Sequence, residues 1–461
     1  MVNSNYMSTQ STTVSLGTES IRKLLVRYAI PAIVAMTAAS LYNMVDSIFI
    51  GRGVGALAIS GLALTLPLMN LTAAFGAMVG LGASALMSIK LGQKDTKSAS
   101  EILGNVILLN TVIGTFIGLL SLIFLRDILY LFGASPDTLP YAYDYMRILL
   151  SCNVFTHLYM GMNDIMRASG YPTKAMFVII GAVLLNALLD WIFIFVFEWG
   201  IAGAAWATVI AQVMAASVEF LHFSNPKHFI HFKKGIFKLK NHIVKGIISI
   251  GLAPFLLNLC SSLVVIFINK ALQSHGGDLY IGAYGIINRI AFLFIMIVMG
   301  INQGMQPIVG YNYGARKLER VKKVLKLGII AAASVTTTGF IVAQFFPGFV
   351  ISWFTTDKIL LEVAEQGIRV VLVAFPIVGF QMVISSFFQS IGKAKLSIFL
   401  SLTRQLIFLL PMLIILPQFK GAMGVWMSMP ISDCVATILA TILIIRQMRI
   451  FRRQAAKTTP I

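Results

Sequence analysis

Two aspartates of this 461-residue chain lie inside long apolar stretches, where a charged side chain is costly. Asp190 follows Asn186 by one helical turn, so a helix would place a carboxylate and an amide on one face. Asp46 follows Tyr42 by the same spacing. Carboxylate and amide oxygens bind hard cations, and a carboxylate removed from water also takes up a proton. The spacing predicts a cation or proton site; the alternative is that each acid is bonded to neighbouring helices purely for assembly.

The elements that hold these acids must lie in a membrane. Hydrophobic residues make up 58% of the chain and charged residues 11%, and the mean hydropathy is +0.86. Soluble domains are roughly 25% charged. The chain has more apolar surface than one compact core can bury, so it is predicted to be a polytopic membrane protein, and an ordinary soluble enzyme is excluded.

Apolar runs of about 20 residues, the length that crosses a bilayer as a helix, recur twelve times. An all-α fold of twelve transmembrane helices is therefore predicted. The first run, from about Leu24, is too long for a signal-peptide core and is expected to be retained. The runs are centred near Ala35, Phe75, Thr111, Phe155, Leu185, Ile210, Leu257, Met296, Ala332, Val378, Phe408 and Thr437.

Successive loops are alternately rich and poor in basic residues, and this alternation predicts the orientation of the chain in the membrane. Most Lys and Arg fall on the side of both termini, which are therefore predicted to be cytoplasmic. The same bias accounts for the net charge of +19 without a nucleic-acid partner. The opposite loops hold Arg52, Arg126, Lys270, Lys358 and Lys420.

The sequence repeats itself at an offset of about 222 residues. Pro31 returns as Pro254, Gly170 as Gly392, and Gly200 as Gly421. Six helices per half is an even number, so both halves enter the membrane from the same side. The repeat predicts two parallel six-helix bundles about a pseudo-twofold axis along the membrane normal, an architecture suited to alternating access.

The repeat and the charge pattern together predict five segments. The linker between the lobes is interpreted as solvated, with lipid binding by its lysines as a minor alternative. The segments are a polar cytoplasmic tail at 1–20, an N-lobe at 21–224, a basic cytoplasmic linker at 225–245, a C-lobe at 246–447 and a basic cytoplasmic tail at 448–461.

The repeat also provides an internal control for the acids. A packing role shared by both lobes would leave polar counterparts in the second half, but the aligned positions are apolar. The asymmetry favours one ion or proton site in the N-lobe. The aligned pairs are Asp46 with Ile268, Asn186 with Phe408, and Asp190 with Met412; an offset longer by one residue would instead place the polar Asn269 opposite Asp46.

Several short motifs, taken in order, resemble the multidrug and toxic compound extrusion (MATE) family, and within it the DinF-like and MepA-like bacterial exporters. The resemblance covers about residues 20 to 450. Its motifs are Val45-Asp46 in the first helix, Leu91-Gly92-Gln93-Lys94-Asp95 after the second, Arg167-Ala168-Ser169-Gly170 after the fourth, Leu185-Asn186-Ala187-Leu188-Leu189-Asp190 in the fifth, and Gly203-Ala204-Ala205-Trp206-Ala207-Thr208 in the sixth.

The resemblance implies which residues couple transport to a cation or proton. By position these are Asp46, Asn163, Asn186, Asp190 and Thr208. Another branch of the family carries acidic residues in its seventh and tenth helices; the corresponding apolar runs here have none, which argues against a C-lobe cation site. Trp191 stands where relatives often carry Pro. Pro31 is predicted to bend the first helix, because proline removes a backbone hydrogen bond.

The predicted function is a secondary antiporter that exports amphipathic, often cationic small molecules in exchange for H⁺ or Na⁺. Tyr42 and Gln212 are the candidates for substrate contact. The expected partners are the small-molecule substrate and the lipid bilayer. No cofactor, nucleic acid or obligate protein partner is expected. The expected location is the bacterial cytoplasmic membrane.

Three other functional classes are alternatives. A lipid-linked saccharide flippase of related architecture would need many cavity cations to hold a pyrophosphate. A membrane enzyme would need a nucleophile or metal constellation, and His157 lacks an obvious partner. A passive channel would not need a bilobal repeat. The candidate cavity cations are Arg147, Arg289, Arg369 and Arg404.

Overall fold

A computed structural model describes residues 14–458 of the chain, and all regular structure in that part is helical. The predicted all-α architecture of twelve membrane spans is confirmed. The first and last residues of the predicted tails, 1–13 and 459–461, lie outside the described residues. We number the spans 1 to 12 in chain order.

Spans 1 to 6 form the first half of the chain. Span 4 consists of two helices, and span 5 continues without a break from an α-helix into a π-helix. Their bounds are Ile21–Gly53, Ala56–Gly92, Thr96–Ile123, Leu139–Ser151 with Asn153–Ala168, Pro172–Trp191 with Ile192–Val196, and Gly200–Ser224.

Spans 7 to 12 form the second half. Span 10 is bent by 52° between its two helices, and spans 11 and 12 are separated by a kink at Gly421, whose φ is 56°. The bounds are Asn241–Gly276, Asp278–Gly314, Leu318–Phe345, Lys358–Val371 with Phe375–Ser390, Ala394–Leu402 followed by Thr403–Leu409 up to the kink, and from the kink to Thr458.

The backbone itself repeats at the offset predicted from the sequence. Left-handed backbone conformations, with positive φ, recur at matching turns in both halves. For Lys94 and Arg316 the φ angles are 61° and 57°, and both residues stand in the turn between the second and third spans of their half. Such conformations are uncommon for non-glycine residues, so their recurrence reflects a shared turn. The glycine pairs are Gly55 with Gly277, Gly170 with Gly392, and Gly200 with Gly421.

Asp95 shows how one of these turns leads into the next helix. Its side chain caps span 3 by accepting the amide hydrogen of Ser98 at 3.0 Å, and the ammonium of Lys90 lies 3.3 Å away. These hydrogen bonds, first of all those from Ser98, lower the pKa of the Asp95 carboxyl below its usual 3.8. An aspartate at this position satisfies an otherwise unpaired amide at the helix start.

The described residues form two compact units, and two of the boundaries between these units lie inside helices. The N-terminal unit comprises residues 14–19 and 34–255, and the C-terminal unit comprises 20–33 and 256–458. Each of these two boundaries closely follows a proline, Pro31 in span 1 and Pro254 in span 7. The units therefore differ from the predicted lobes, whose limits lie in loops. The beginning of span 1 packs with helices of the second half, and the beginning of span 7 packs with helices of the first half.

Close helix contacts explain why these two segments are exchanged. In the N-terminal unit, Gly251 of span 7 lies against the backbone of Met78, and Gly82 lies against the carbonyl of Ile247. In the C-terminal unit, Gly304 lies against Ala29 in the same way. Small residues allow such backbone approach between membrane helices. The contacts attach residues 241–255 to one unit and residues 20–33 to the other.

The basic linker is a packed element. Lys240 donates to Glu101 of span 3 at 2.6 Å through its ammonium, and its amide donates to Asn105 at 3.0 Å. Ile236 fills the space beside Gly104. Span 7 begins at Asn241, so the segment between spans 6 and 7 ends before the predicted limit of 245. The interpretation of this segment as a solvated linker does not include these contacts, because sequence composition shows the charges but not their partners.

Candidate functional site

Asp46 of span 1 and Asp190 of span 5 meet inside the N-terminal unit. Asp46 is 5% exposed and Asp190 is fully buried, and their carboxyl groups are close enough to interact electrostatically. The hydroxyl of Tyr145 points to Oδ2 of Asp46 at 3.5 Å. Two carboxylates in contact cannot both stay ionised in an apolar environment without a cation. Such a pair is suited to sharing a proton or holding a positive ion.

Asn186 and Thr208 complete one side of this site. Asn186 lies one turn before Asp190 on span 5 and donates to Oγ1 of Thr208 on span 6 at 3.3 Å. The hydroxyls of Thr208 and Tyr42 are 2.8 Å apart. Helical spacing places Asn186 and Asp190 on one face, and the packing of spans 1, 5 and 6 brings Asp46 and Thr208 to them.

Immediately after Asp190, span 5 changes from an α-helix to a π-helix at Ile192–Val196. Such single-turn insertions widen the helix and are frequent at functional sites. They also rotate the following residues away from the α-helical face. Trp191 therefore stands at a local change of helix geometry, at the position where proline is common in the resembled family.

Buried oxygens without hydrogen-bond partners converge at this site. Within the described residues, no partner is found for Oδ1 of Asp46, Oδ1 of Asn186 or either carboxyl oxygen of Asp190. Buried polar atoms are normally paired. A set of unpaired carboxylate and amide oxygens fits a bound proton or a Na⁺ ion, since both are held by oxygen acceptors.

Thr208→Val tests the polar side of this site. The change keeps the shape of the side chain and removes the hydroxyl that contacts Tyr42 and Asn186. We expect ion-driven transport to fall roughly 10-fold, equivalent to about 1.4 kcal/mol, the scale of one or two buried hydrogen bonds. Initial transport rates in proteoliposomes measure the effect.

The matched control is Thr111→Val. Thr111 is exposed, and its hydroxyl donates to the carbonyl of Ile107 within its own helix. Transport by this control should stay at the wild-type rate. Equal rates for the two variants would show that the Thr208 hydroxyl has no part in coupling.

The structure places Asn163 in a different set of contacts. Its amide donates to Oε1 of Glu219 at 2.8 Å and to the carbonyl of Ala175 at 3.1 Å, and its oxygen accepts from Arg167 at 3.3 Å. Both amide hydrogens are thus engaged beside Glu219. The structure brings four of the five predicted coupling residues together and turns Asn163 towards a buried glutamate.

The two candidates for substrate contact have internal partners. Tyr42 contacts Thr208, as described above, and the side-chain oxygen of Gln212 accepts from Thr156 at 2.5 Å. Pro31 lies within span 1, in the segment that belongs to the C-terminal unit. Roles in substrate contact and helix bending stay predictions for these three residues.

Sequence reasoning missed Tyr145 and Glu219. Tyr145 lies in the first helix of span 4 and is almost fully buried in the core of the N-terminal unit. Nothing in its local sequence separates it from the nearby Tyr141 and Tyr143. Glu219 could have been found from the sequence, because an acid near the end of an apolar span is unusual and indicates a functional position.

In the C-terminal unit, the acid of the last span is neutralised by an arginine. Oδ1 of Asp433 accepts from Nε of Arg404 at 2.7 Å. Across residues 14–458, no group of three or more His, Cys, Asp and Glu side chains is arranged to hold a metal ion. The unpaired carboxyl oxygens of Asp46 and Asp190 thus lie in the N-terminal unit, whereas Asp433 of the C-terminal unit has an arginine partner.

A family model for MatE matches residues 31–192 and 250–415, more than half of the chain. The chain belongs to the MatE family. This family consists of membrane transporters, so the MATE resemblance and the prediction of a transporter, not an enzyme, are confirmed. A multi-pass membrane protein follows, in agreement with the apolar spans.

The MatE family relatives include named exporters. Multidrug export protein MepA of Staphylococcus haemolyticus is 26% identical, covering 92% of this chain and 93% of the relative. MepA of Staphylococcus aureus strain N315 is 25% identical over the same shares of each chain. These similarities extend over nearly the full length of both proteins.

Solved MatE family structures share the fold. A structure of the MATE multidrug transporter DinF-BH, solved as a complex, is 34% identical, with a TM-score of 0.86, and covers 94% of this chain and 98% of that chain. A MATE structure in a bent conformation is 24% identical with a TM-score of 0.91, and covers 96% and 99%.

Proposed function

We propose that the protein is a secondary active multidrug exporter, a cation antiporter that moves amphipathic, often cationic small molecules out of the cell against H⁺ or Na⁺. The buried Asp46–Asp190 pair, with unpaired oxygens on both side chains, carries this proposal. The relatives named as multidrug export proteins support the substrate class.

The coupling step follows from the electrostatics of the pair. A proton or Na⁺ removes the repulsion between the two carboxyl groups, so it favours the protein state in which they are close. An exported cation and the coupling ion exchange only if each binds the two access states with different affinity. Pro31 interrupts the hydrogen bonding of span 1, the helix that also carries Asp46, and so permits bending there.

The flippase alternative needs free cationic side chains, and two of its four candidate arginines have acidic partners. Arg404 bonds to Asp433 at 2.7 Å, and Arg147 lies 3.5 Å from Asp144. These ion pairs neutralise charges that would otherwise hold a pyrophosphate. The antiporter is therefore the favoured interpretation.

The orientation belongs to the same proposal. The Lys and Arg distribution supports both termini in the cytoplasm of a bacterial cell, with the chain in the cytoplasmic membrane. The coupling ion would then enter from outside, down its gradient, as substrate leaves.

Transport of a fluorescent lipophilic cation into inside-out proteoliposomes tests the function, with a pH gradient or a Na⁺ gradient imposed alone. We expect one gradient to drive uptake by the wild type, and Asp46→Asn to abolish it because the amide cannot be ionised. A folded wild-type protein that takes up no cation under either gradient would contradict antiport and direct the next assay to lipid-linked saccharides.

A further inference from the structure

A second buried group of polar and ionisable side chains lies in the N-terminal unit. It comprises Asn163, Asp164 and Arg167 of span 4 and Glu219 of span 6, and we call it the Glu219 cluster. Arg167 lies 3.1 Å from Asp164 and donates to the side-chain oxygen of Asn163 at 3.3 Å, and the amide nitrogen of Asn163 donates to Oε1 of Glu219 at 2.8 Å. Glu219 is fully buried.

The charges of the Glu219 cluster do not balance. Arg167 forms its ion pair with Asp164 and also acts electrostatically on Glu219, so one positive charge faces two carboxyl groups. The hydrogen-bond partner of Glu219 is the neutral amide of Asn163. The second carboxyl oxygen of Glu219, Oε2, is buried and has no hydrogen-bond partner among the described residues. A carboxylate inside a membrane span is costly unless it is paired or protonated. The open Oε2 is therefore a position for a proton.

No other charged group of the packed helices compensates Glu219 in the described part of the chain. Span 5 contributes the carbonyl of Ala175, while its Lys174 lies over the ring of Tyr171. On the first helix of span 4, Asp144 and Arg147 pair with each other at the exposed surface. On span 6 itself, His222 stacks on His228 of the linker.

Tyr159 interacts electrostatically with the Glu219 cluster and with Tyr42, beside the Asp46–Asp190 pair. Its side chain is within electrostatic range of Glu219 and also of Tyr42, whose hydroxyl contacts Thr208. Glu219 lies 11 residues beyond Thr208 on span 6, about 16 Å closer to the basic linker at the helical rise. The linker is on the side predicted to be cytoplasmic. Glu219 thus lies between the coupling pair and the cytoplasm.

We propose that Glu219 is a second proton-binding position of the transporter, which passes protons between the Asp46–Asp190 pair and the cytoplasm. The inference rests on the proposed antiport, with H⁺ as the coupling ion. One proton leaves the aspartate pair and neutralises the Glu219 carboxylate at Oε2. Glu219 then releases one proton to the cytoplasm and returns to the carboxylate. Asn163 holds Oε1, so it contributes to coupling by orienting Glu219.

Glu219→Gln is the decisive variant, because glutamine keeps an oxygen for the Asn163 amide and cannot carry the proton. We expect uptake driven by a pH gradient to fall at least 10-fold. Substrate counterflow, measured without any ion gradient, should stay within 2-fold of the wild type. The matched control is Glu101→Gln, a buried glutamate of the same unit that is already paired with Lys240; its driven uptake should be unchanged.

A second readout does not depend on transport. In pH-difference infrared spectra of the reconstituted wild type, a protonated carboxyl band assigned to Glu219 should disappear in Glu219→Gln and persist in Glu101→Gln. A band unaffected by Glu219→Gln, or wild-type driven uptake by that variant, would overturn the inference. So would an equal loss of counterflow, which indicates a purely structural role.

Asp46→Asn, run in the same series, separates this inference from the proposed function. Normal driven uptake by Asp46→Asn would remove the antiport site itself. Wild-type uptake driven by Na⁺ alone would overturn the role of Glu219 and leave the antiporter proposal intact.

Discussion

Asp190→Asn is expected to reduce ion-driven transport at least about 100-fold, the upper range of coupling factors between two ligand sites. Asp190 is fully buried against Asp46, and its two carboxyl oxygens are the largest share of the unpaired acceptors at the site. Asparagine has nearly the same shape but has no charge to be neutralised. The variant should fold and bind substrate, yet the ion gradient should no longer move the protein between its two access states.

The measurement for Asp190→Asn is the initial rate of uptake under the gradient that drives the wild type. Asp144→Asn is the control, since Asp144 is half exposed and paired with Arg147 in the same unit. Purified variants should show wild-type elution and melting profiles. Driven uptake by Asp190→Asn at the wild-type rate would mean that the carboxyl pair is only a packing feature.

Gly251→Leu is expected to destabilise the protein by about 3 kcal/mol or more, at the upper end of what overpacking costs. A side chain at Gly251 would overlap the carbonyl oxygen and the Cα of Met78, which are backbone atoms that cannot rotate away. Span 7 would have to move off span 2 along the segment that also carries the contact of Gly82 with Ile247. We expect little monodisperse protein and a lowered melting temperature.

Gly181→Leu is the matched control for this prediction. Gly181 also lies within a membrane span of the N-terminal unit, but a side chain there meets no atom within 4 Å. Size-exclusion profiles and thermal melting of both variants in detergent decide the result. Equal stability of the two variants would contradict the importance of the close helix contact.

Much of the proposed coupling site was predictable, because it depends on regular helix geometry. Asn186 and Asp190 share a face through their four-residue spacing, and the cost of burying charge singles out Asp46 in a neighbouring span. The orientation of Asn163 was not predictable. Span 4 breaks at Cys152 into two helices, and a break changes the direction of every side chain that follows. No periodic pattern in the sequence marks that break.

The spans themselves were predictable from apolar length, but their irregular geometry was not. The π-helices at Ile192–Val196 and Thr403–Leu409 and the bend of span 10 keep the same composition as a regular helix. Hydropathy indicates which segments are buried in lipid, but it does not distinguish a regular α-helix from a π-helix or a bend. The unit boundaries were missed for a related reason, since sequence patterns place boundaries in loops and these lie inside spans 1 and 7.

The reciprocal exchange of helix beginnings restricts how such a chain could arise from a duplicated gene. Residues 20–33 complete the unit built from the second half, and residues 241–255 complete the unit built from the first. A half-length ancestor would have needed a second copy to supply its missing helix turns, as in a domain-swapped dimer. Fusion of two copies would have turned an obligatory association between molecules into a contact within one, and would then have allowed one half to acquire acids that the other never needed.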